Sequence, residues 1–303
     1  MQFGKVDPQQ IPLIDFSLPK DPGANHSVLG GVKSTSLDVK LGCSRWGQKG
    51  WIGNYYPEKT RQKDMLLAYA KQFDTVELSP THYKIPTAAQ VEKWRDETPE
   101  SFRFCPKIFQ GISHWDRLRN TAERTTDFCS AVMHFEKKLG PCFLQLPPNF
   151  NPTNGVQLFD YIADWPQEIS LAVELRHQEW FSNSENSSRL FDALTQHNMA
   201  TVITDTSGRR DLMHMRLTNK TAFVRFVGNG LHTNDYQRID NWISRLLYWK
   251  EMGLKEAYFF VHQHDALDSP KLIEYMADTL SQNSEITVKR PSFKEGESQS
   301  TLF

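Results

Sequence analysis

Leu171-Ala-Val-Glu-Leu-Arg-His177 is the stretch that decides the fold: a short apolar run that alternates, ends in charged residues and is bounded by polar sequence. Successive strand residues face opposite sides, so Leu171, Val173 and Leu175 fall on one face and Ala172, Glu174 and Arg176 on the other. Six further runs repeat the form, at Thr75-Val-Glu-Leu-Ser79, Phe104-Cys-Pro-Lys107, Cys142-Phe-Leu-Gln145, Val202-Ile-Thr-Asp205, Phe223-Val-Arg225 and Phe259-Phe-Val-His262. Each leaves room for a helix before the next. About eight strand-helix repeats predict a closed parallel barrel of the TIM type, (β/α)8, with its site where the strands end.

Strands are expected to begin near Val39, Thr75, Arg103, Cys142, Leu171, Thr201, Ala222 and Tyr258. The reading places Glu77, Lys107, Gln145, Glu174, Asp205, Arg225, His262 and His264 inside. Val76, Leu78, Leu144, Leu146, Val202, Val224, Phe226, Phe259 and Val261 then face the helices. Helical spacing appears over 59–73, 125–139 and 235–252. The connection from Ser207 to Thr221 is short, which predicts an irregular or shortened sixth helix.

The chain has 303 residues, and a barrel of this kind takes roughly 250. The expected division is therefore an N-terminal extension over 1–36, the barrel over 37–283 and a C-terminal tail over 284–303. A net charge of -1 argues against a generally basic nucleic-acid binder. No apolar run suits a signal-peptide core or a membrane span, and the four cysteines lack paired spacing. These features predict a soluble, cytoplasmic protein with reduced thiols.

The run Leu41-Gly-Cys-Ser-Arg-Trp46, then Trp51-Ile-Gly53, Tyr55-Tyr-Pro57, Phe73-Asp-Thr-Val-Glu77 and His82-Tyr83, resembles the opening of domain-of-unknown-function family 72, also called YecE-like. The similarity continues through Trp94, Thr98-Pro99, Phe102-Arg-Phe104, Lys107, Leu144-Gln-Leu-Pro-Pro148, Ala172 to His177, Trp180-Phe181 and Ile203-Thr-Asp-Thr206, and spans roughly Asp38 to Leu280. It implies a TIM-type barrel and names no reaction. Positions matched without difficulty are Trp46, Glu77, Lys107, Gln145, Glu174, Arg176, His177 and Asp205. After the last strand, where relatives carry an Asn-rich segment, this chain has His262-Gln-His-Asp265.

Two chemistries suit the inward set. Lys107, Arg176 and Arg225 are cations that can hold a phosphate- or carboxylate-bearing ligand, beside Glu174, Asp205 and His177 as catalytic acid-base groups. Trp46, Glu77, Gln145, His262 and His264 complete the expected substrate site, with no metal. Alternatively, Glu77, Glu174, Asp205, His262 and His264 offer oxygen and nitrogen ligands for a divalent ion, as in a metal-dependent phosphodiesterase or nuclease similar to endonuclease-IV-like barrels. A non-catalytic ligand-binding barrel is the third reading. The paired charges also suit a structural network. His82 and His114 are expected to be ordinary loop or surface residues, and Gly228-Asn-Gly230 either an anion-facing turn or a plain one.

Overall fold

Eight apolar runs become eight parallel strands in the computed structural model, which describes residues 3–292. They are β1 (Leu37–Cys43), β2 (Thr75–Leu78), β3 (Arg103–Pro106), β4 (Cys142–Gln145), β5 (Leu171–Glu174), β6 (Ala200–Asp205), β7 (Thr221–Val227) and β8 (Glu256–His262). Their starts fall within two residues of the sequence expectation. Order runs β3-β2-β1-β8-β7-β6-β5-β4, and the ring is drawn together between β3 and β4 by the bridges Phe104 to Leu139 and Lys107 to Phe143. This is a nearly closed (β/α)8 barrel.

Two apolar layers form because every strand is buried on both faces. The inner layer is a plug of Cys105, Phe143, Ala172, Ala200, Val202, Phe223, Tyr258 and Phe260. The outer layer joins Leu41, Val76, Leu144, Val173, Ile203, Val224 and Phe259 to apolar helix faces. Val173 and Leu175 lie in the outer layer as expected. Arg225 sits with its guanidinium 5.6 Å from the Phe143 ring centroid, so the polar layer rests directly on the plug.

On β6 the register is reversed from the sequence reading. Val202 belongs to the inner plug, so Thr204 faces inward and Asp205 faces the helices. Asp205 is fully buried there, accepting from Arg238 Nη2 at 2.8 Å and from Trp242 Nε1 at 2.8 Å, both on the helix Thr233–Met252. Arg210 supplies a second charge. Burial raises the Asp205 pKa, but Arg238 and Arg210 outweigh it and the net direction is down. Asp205 is thus a brace between strand and helix, and it does not reach the barrel interior.

Between β6 and β7 the only helical piece is a 3-10 turn over Ser207–Leu212, the shortened sixth helix expected from the connection length. The C-terminal segment departs from the expected tail: Ile286–Val288 forms a ninth strand, parallel to β1 and paired with Leu37 to Val39. The rest of that tail, 293–303, lies outside the described residues.

The N-terminal extension is a strap. Asn25 is buried and bridges Met215 O at 2.7 Å and Leu217 N at 2.8 Å. Asp21 accepts from Trp249 Nε1 at 2.6 Å, and the Phe16 ring lies 4.9 Å from the Arg238 guanidinium. At its start, Gly4 O accepts from Gly208 N at 2.9 Å. Gly4 has φ 72°, and a Cβ there would stand 2.1 Å from Thr206 Oγ1, so glycine is required. No helix among the described residues is long and apolar enough to cross a membrane.

Candidate functional site

Strand ends on the C-terminal side place Glu77, Lys107, Gln145, Glu174, Arg225 and His262 in one polar layer above the plug. Arg225 is its centre. Its Nε donates to Glu77 Oε2 at 2.8 Å, Nη2 to Glu77 Oε1 at 3.0 Å and Nη1 to Glu174 Oε2 at 2.7 Å, with the side chain 2% exposed. His262 Nε2 lies 2.9 Å from Glu77 Oε2. Burial lowers the His262 pKa, so the ring is neutral and Nε2–H donates to the carboxylate.

A second chain of bonds runs through Gln145, which accepts from Lys107 Nζ at 2.8 Å and donates to Glu174 Oε2 at 2.7 Å. Glu174 Oε1 then accepts from Arg176 Nε at 2.7 Å. Burial raises both carboxyl pKa values, yet the adjacent guanidiniums win. Glu77 is held well below the usual carboxylate range, and Glu174 falls to about 2. Lys107 moves the other way for an amine: burial, with Arg225 nearby, lowers it to about 8.

The layer therefore carries three cations, Lys107, Arg176 and Arg225, against two carboxylates, Glu77 and Glu174. All Arg225 nitrogens are spent on protein partners. Arg176 uses only Nε, so among the described residues its Nη1 and Nη2 have no protein partner, and it lines the open cavity above.

That cavity measures about 1000 Å³, within the range of small-molecule sites. Its wall includes Trp46, Glu77, Lys107, Gln145, Arg176, Arg225, His262 and His264, the residues assigned to substrate. Glu174 lies just beneath. His177 is not on this wall; it sits in the loop after β5, where its Nδ1 meets Glu179 N at 3.4 Å. Asp205 is absent for the register reason given above. A second groove of about 1230 Å³, at Asn54, Asp268, Lys271 and Asp278, shares no lining residue with this cavity, and its ion pairs Lys271 to Asp268 and Arg290 to Asp278 are solvent-exposed.

Sequence reasoning missed Arg45, Ser79 and Gln263 on the wall. Arg45 lies two residues past the end of β1, a position that should have flagged it. The N-terminal strap also reaches the mouth: the Phe3 ring lies over Arg176 at 3.9 Å and 5.6 Å from Arg209, covering one face of the Arg176 guanidinium. His82 and His114 correct another expectation. His82 is buried, donates from Nδ1 to Ile108 O at 2.8 Å, and meets His114 edge to face at 4.9 Å. Burial and Lys107 lower both to about 4.

Of the loop aromatics, Trp51, Tyr56 and Trp180 are core residues, while Tyr83 is exposed on the cavity rim. The 228–230 turn is a plain one, its amides taken by His262 O, Asp235 Oδ2 and Gln263 Oε1. Among the described residues no group of three His, Cys, Asp or Glu is placed to hold a metal. Glu77 already accepts two bonds from Arg225 and one from His262.

The family described as "Protein of unknown function DUF72" matches residues 40–297. UPF0759 protein YecE of Escherichia coli strain K12 is 26% identical over 260 residues, covering 80% of this chain and 92% of that protein. UPF0759 protein YunF of Bacillus subtilis strain 168 is 31% identical over 152 residues, covering 48% of this chain and 52% of that one. Crystal structures of DUF72 family proteins share the fold. That from Enterococcus faecalis V583 has a TM-score of 0.65 at 19% identity over 82% of this chain and 99% of its own. That from Thermotoga maritima MSB8 has a TM-score of 0.64 at 22% identity over 81% and 99%. With a match across most of its length and the barrel those relatives share, this chain belongs to the DUF72 family.

Proposed function

We propose that the barrel is an enzyme that binds a small anionic substrate, carrying a carboxylate or phosphate, at its C-terminal mouth and acts on it by acid-base or hydrolytic chemistry. The observation that carries this reading is Arg176, which lines the cavity and whose two terminal nitrogens have no hydrogen-bond partner among the described residues, while the layer holds one cation in excess. A planar guanidinium with two free donors matches an oxyanion bidentately. Arg225, being spent, acts as the clamp that fixes Glu77 and Glu174 below.

Glu174 stays ionised because of its guanidinium neighbours, so it orients Arg176 and Gln145 and has no proton to donate. Lys107, lowered to about 8, is the wall amine with a neutral fraction near pH 7, and it is the group that carries the chemistry of the site. A metal-dependent phosphodiesterase is less well supported, because both carboxylates already bind Arg225.

Calorimetric titration with sulfate and with small carboxylates tests the reading. The parent protein should bind one anion per chain, and Arg176→Gln should weaken that binding at least tenfold with its melting temperature little changed. No binding by the parent would end the proposal. Tight anion binding with no turnover of any carboxylate or phosphate ester would instead favour a binding barrel, and activity that needs added divalent ion would favour the phosphodiesterase. Phe3→Ala is expected to weaken sulfate binding by a few fold, since a stacked aromatic contributes about 0.5–1 kcal/mol to holding a guanidinium. Phe3→Trp should restore it.

A further inference from the structure

Lys107 is the cation of the layer with no carboxylate contact. Its backbone is pinned on both sides, N–H donating to Leu78 O at 3.2 Å and C=O accepting from Thr81 Oγ1 at 2.7 Å. Its Nζ has one acceptor among the described residues, Gln145 Oε1 at 2.8 Å, and faces the cavity. Gln145 is in turn fixed by Glu174, and Glu174 by Arg176, so amine and free guanidinium are tied into one hydrogen-bonded chain. The four cysteines are all buried and none lines the cavity, so no thiol competes as nucleophile.

We infer that Lys107 Nζ forms a Schiff base with the carbonyl carbon of a small 2-oxo acid whose carboxylate is held by Arg176. This rests on the anion reading above and names the substrate class of the same site. The neutral amine adds its lone pair to the carbonyl carbon, the C–N bond forms, and the C=O pair moves onto oxygen. That oxygen takes one proton from the nitrogen and, from solvent, the one the ammonium gave up before attack, and leaves as water, so ammonium plus carbonyl gives iminium plus water. No oxidant, reductant or metal is consumed. The protonated iminium then withdraws electrons from the adjacent carbon.

Charges around Nζ support the assignment. Burial lowers the amine, Arg225 and Arg176 lower it further, and Glu77 and Glu174 only partly oppose them, leaving it near 8. A neutral fraction is therefore present at physiological pH, as a nucleophilic lysine requires.

Trapping with cyanoborohydride in the presence of pyruvate or glyoxylate, read by intact mass and peptide mapping of the full chain, tests the inference. One reduced adduct should appear on Lys107, at a rate rising about tenfold per pH unit below the amine pKa. Sulfate should suppress it, Arg176→Gln should slow it at least tenfold, and acetone should label the site far less than pyruvate. Labelling spread over surface lysines with none on Lys107 overturns it. If the parent binds sulfate by calorimetry yet traps no oxo acid on Lys107, the Schiff-base inference fails and the anion reading stands. If neither occurs, both fail.

Discussion

Arg225→Met is expected to lower the melting temperature by roughly 10 °C, a loss of about 3–5 kcal/mol. The guanidinium makes three charge-assisted bonds to Glu77 and Glu174, and all three side chains are at most 2% exposed. Removing it strands Glu77 with neutral His262 and a long bond from Ser79 Oγ and no cation, which costs far more than the net worth of the original pair. Adding Glu77→Gln to the same chain should recover part of the loss, because Glu174 keeps Arg176 as a partner. The sign with pH follows from the depressed carboxylates. For Glu174 the stabilisation is fully present above the ordinary value of 4.5 and is lost as pH falls towards about 2. Arg225→Met should therefore flatten acid unfolding over that window. A melting temperature within about 2 °C of the parent would show the clamp to be hydrated, and would return Arg225 to the set of residues free to hold an anion.

The second large effect belongs to Asp205→Ala. This carboxylate is fully buried and takes bonds from Arg238, Arg210 and Trp242. Arg238 is itself 1% exposed and would keep Asp235, at 3.2 Å, as its carboxylate partner, beside the backbone carbonyls of Val227 and of position 205. A loss of about 3–5 kcal/mol is expected from breaking such a buried pair. Sulfate affinity of the folded variant should equal that of the parent, since Asp205 has no atom on the cavity wall. Were Asp205 turned inward, the pattern would invert, with stability kept and anion binding changed. Equilibrium urea unfolding and calorimetry on the same sample separate the two.

Asp205 also explains where reading along the chain stops. On β5 the charged residues Glu174 and Arg176 share one parity and Val173 and Leu175 the other, so the inner face is unambiguous. On β6 both Val202 and Ile203 are apolar because a barrel strand is buried on either side, and alternation carries no information. The resolving signal was elsewhere, in Arg238 and Trp242, spaced i and i+4 on the following long helix. A buried arginine needs a carboxylate, and Asp205 is the one it faces. The β9 strand was hidden for a different reason: three residues amid charged and polar sequence leave no period to detect.

Positions of the polar layer were readable because each lies at the end of an apolar run, where a parallel barrel puts its site. The division of labour inside it was not. Arg176 and Arg225 look alike in sequence, and only the bonding pattern separates a saturated guanidinium from one with free donors. The contacts of the strap were not readable, because its anchors, Phe3, Phe16, Asp21 and Asn25, are isolated residues without periodicity.

Those anchors have a consequence in time. Asn25 and Gly4 meet partners 190 to 202 positions further along the chain. Contacts of such separation form late, after the loops they close have already been shortened by other structure. The strap, made before its partners on the ribosome, therefore waits, at about 10 residues per second, some 20 seconds or more for the stretch through Trp249 to emerge. Ile11, Phe16 and Phe3 spend that interval without their pockets, a transient apolar surface on the nascent chain. Arg176 gains its aromatic cover only when that wait ends, so a bulky fusion placed before Phe3 should slow completion of the mouth while leaving the rate of barrel closure alone.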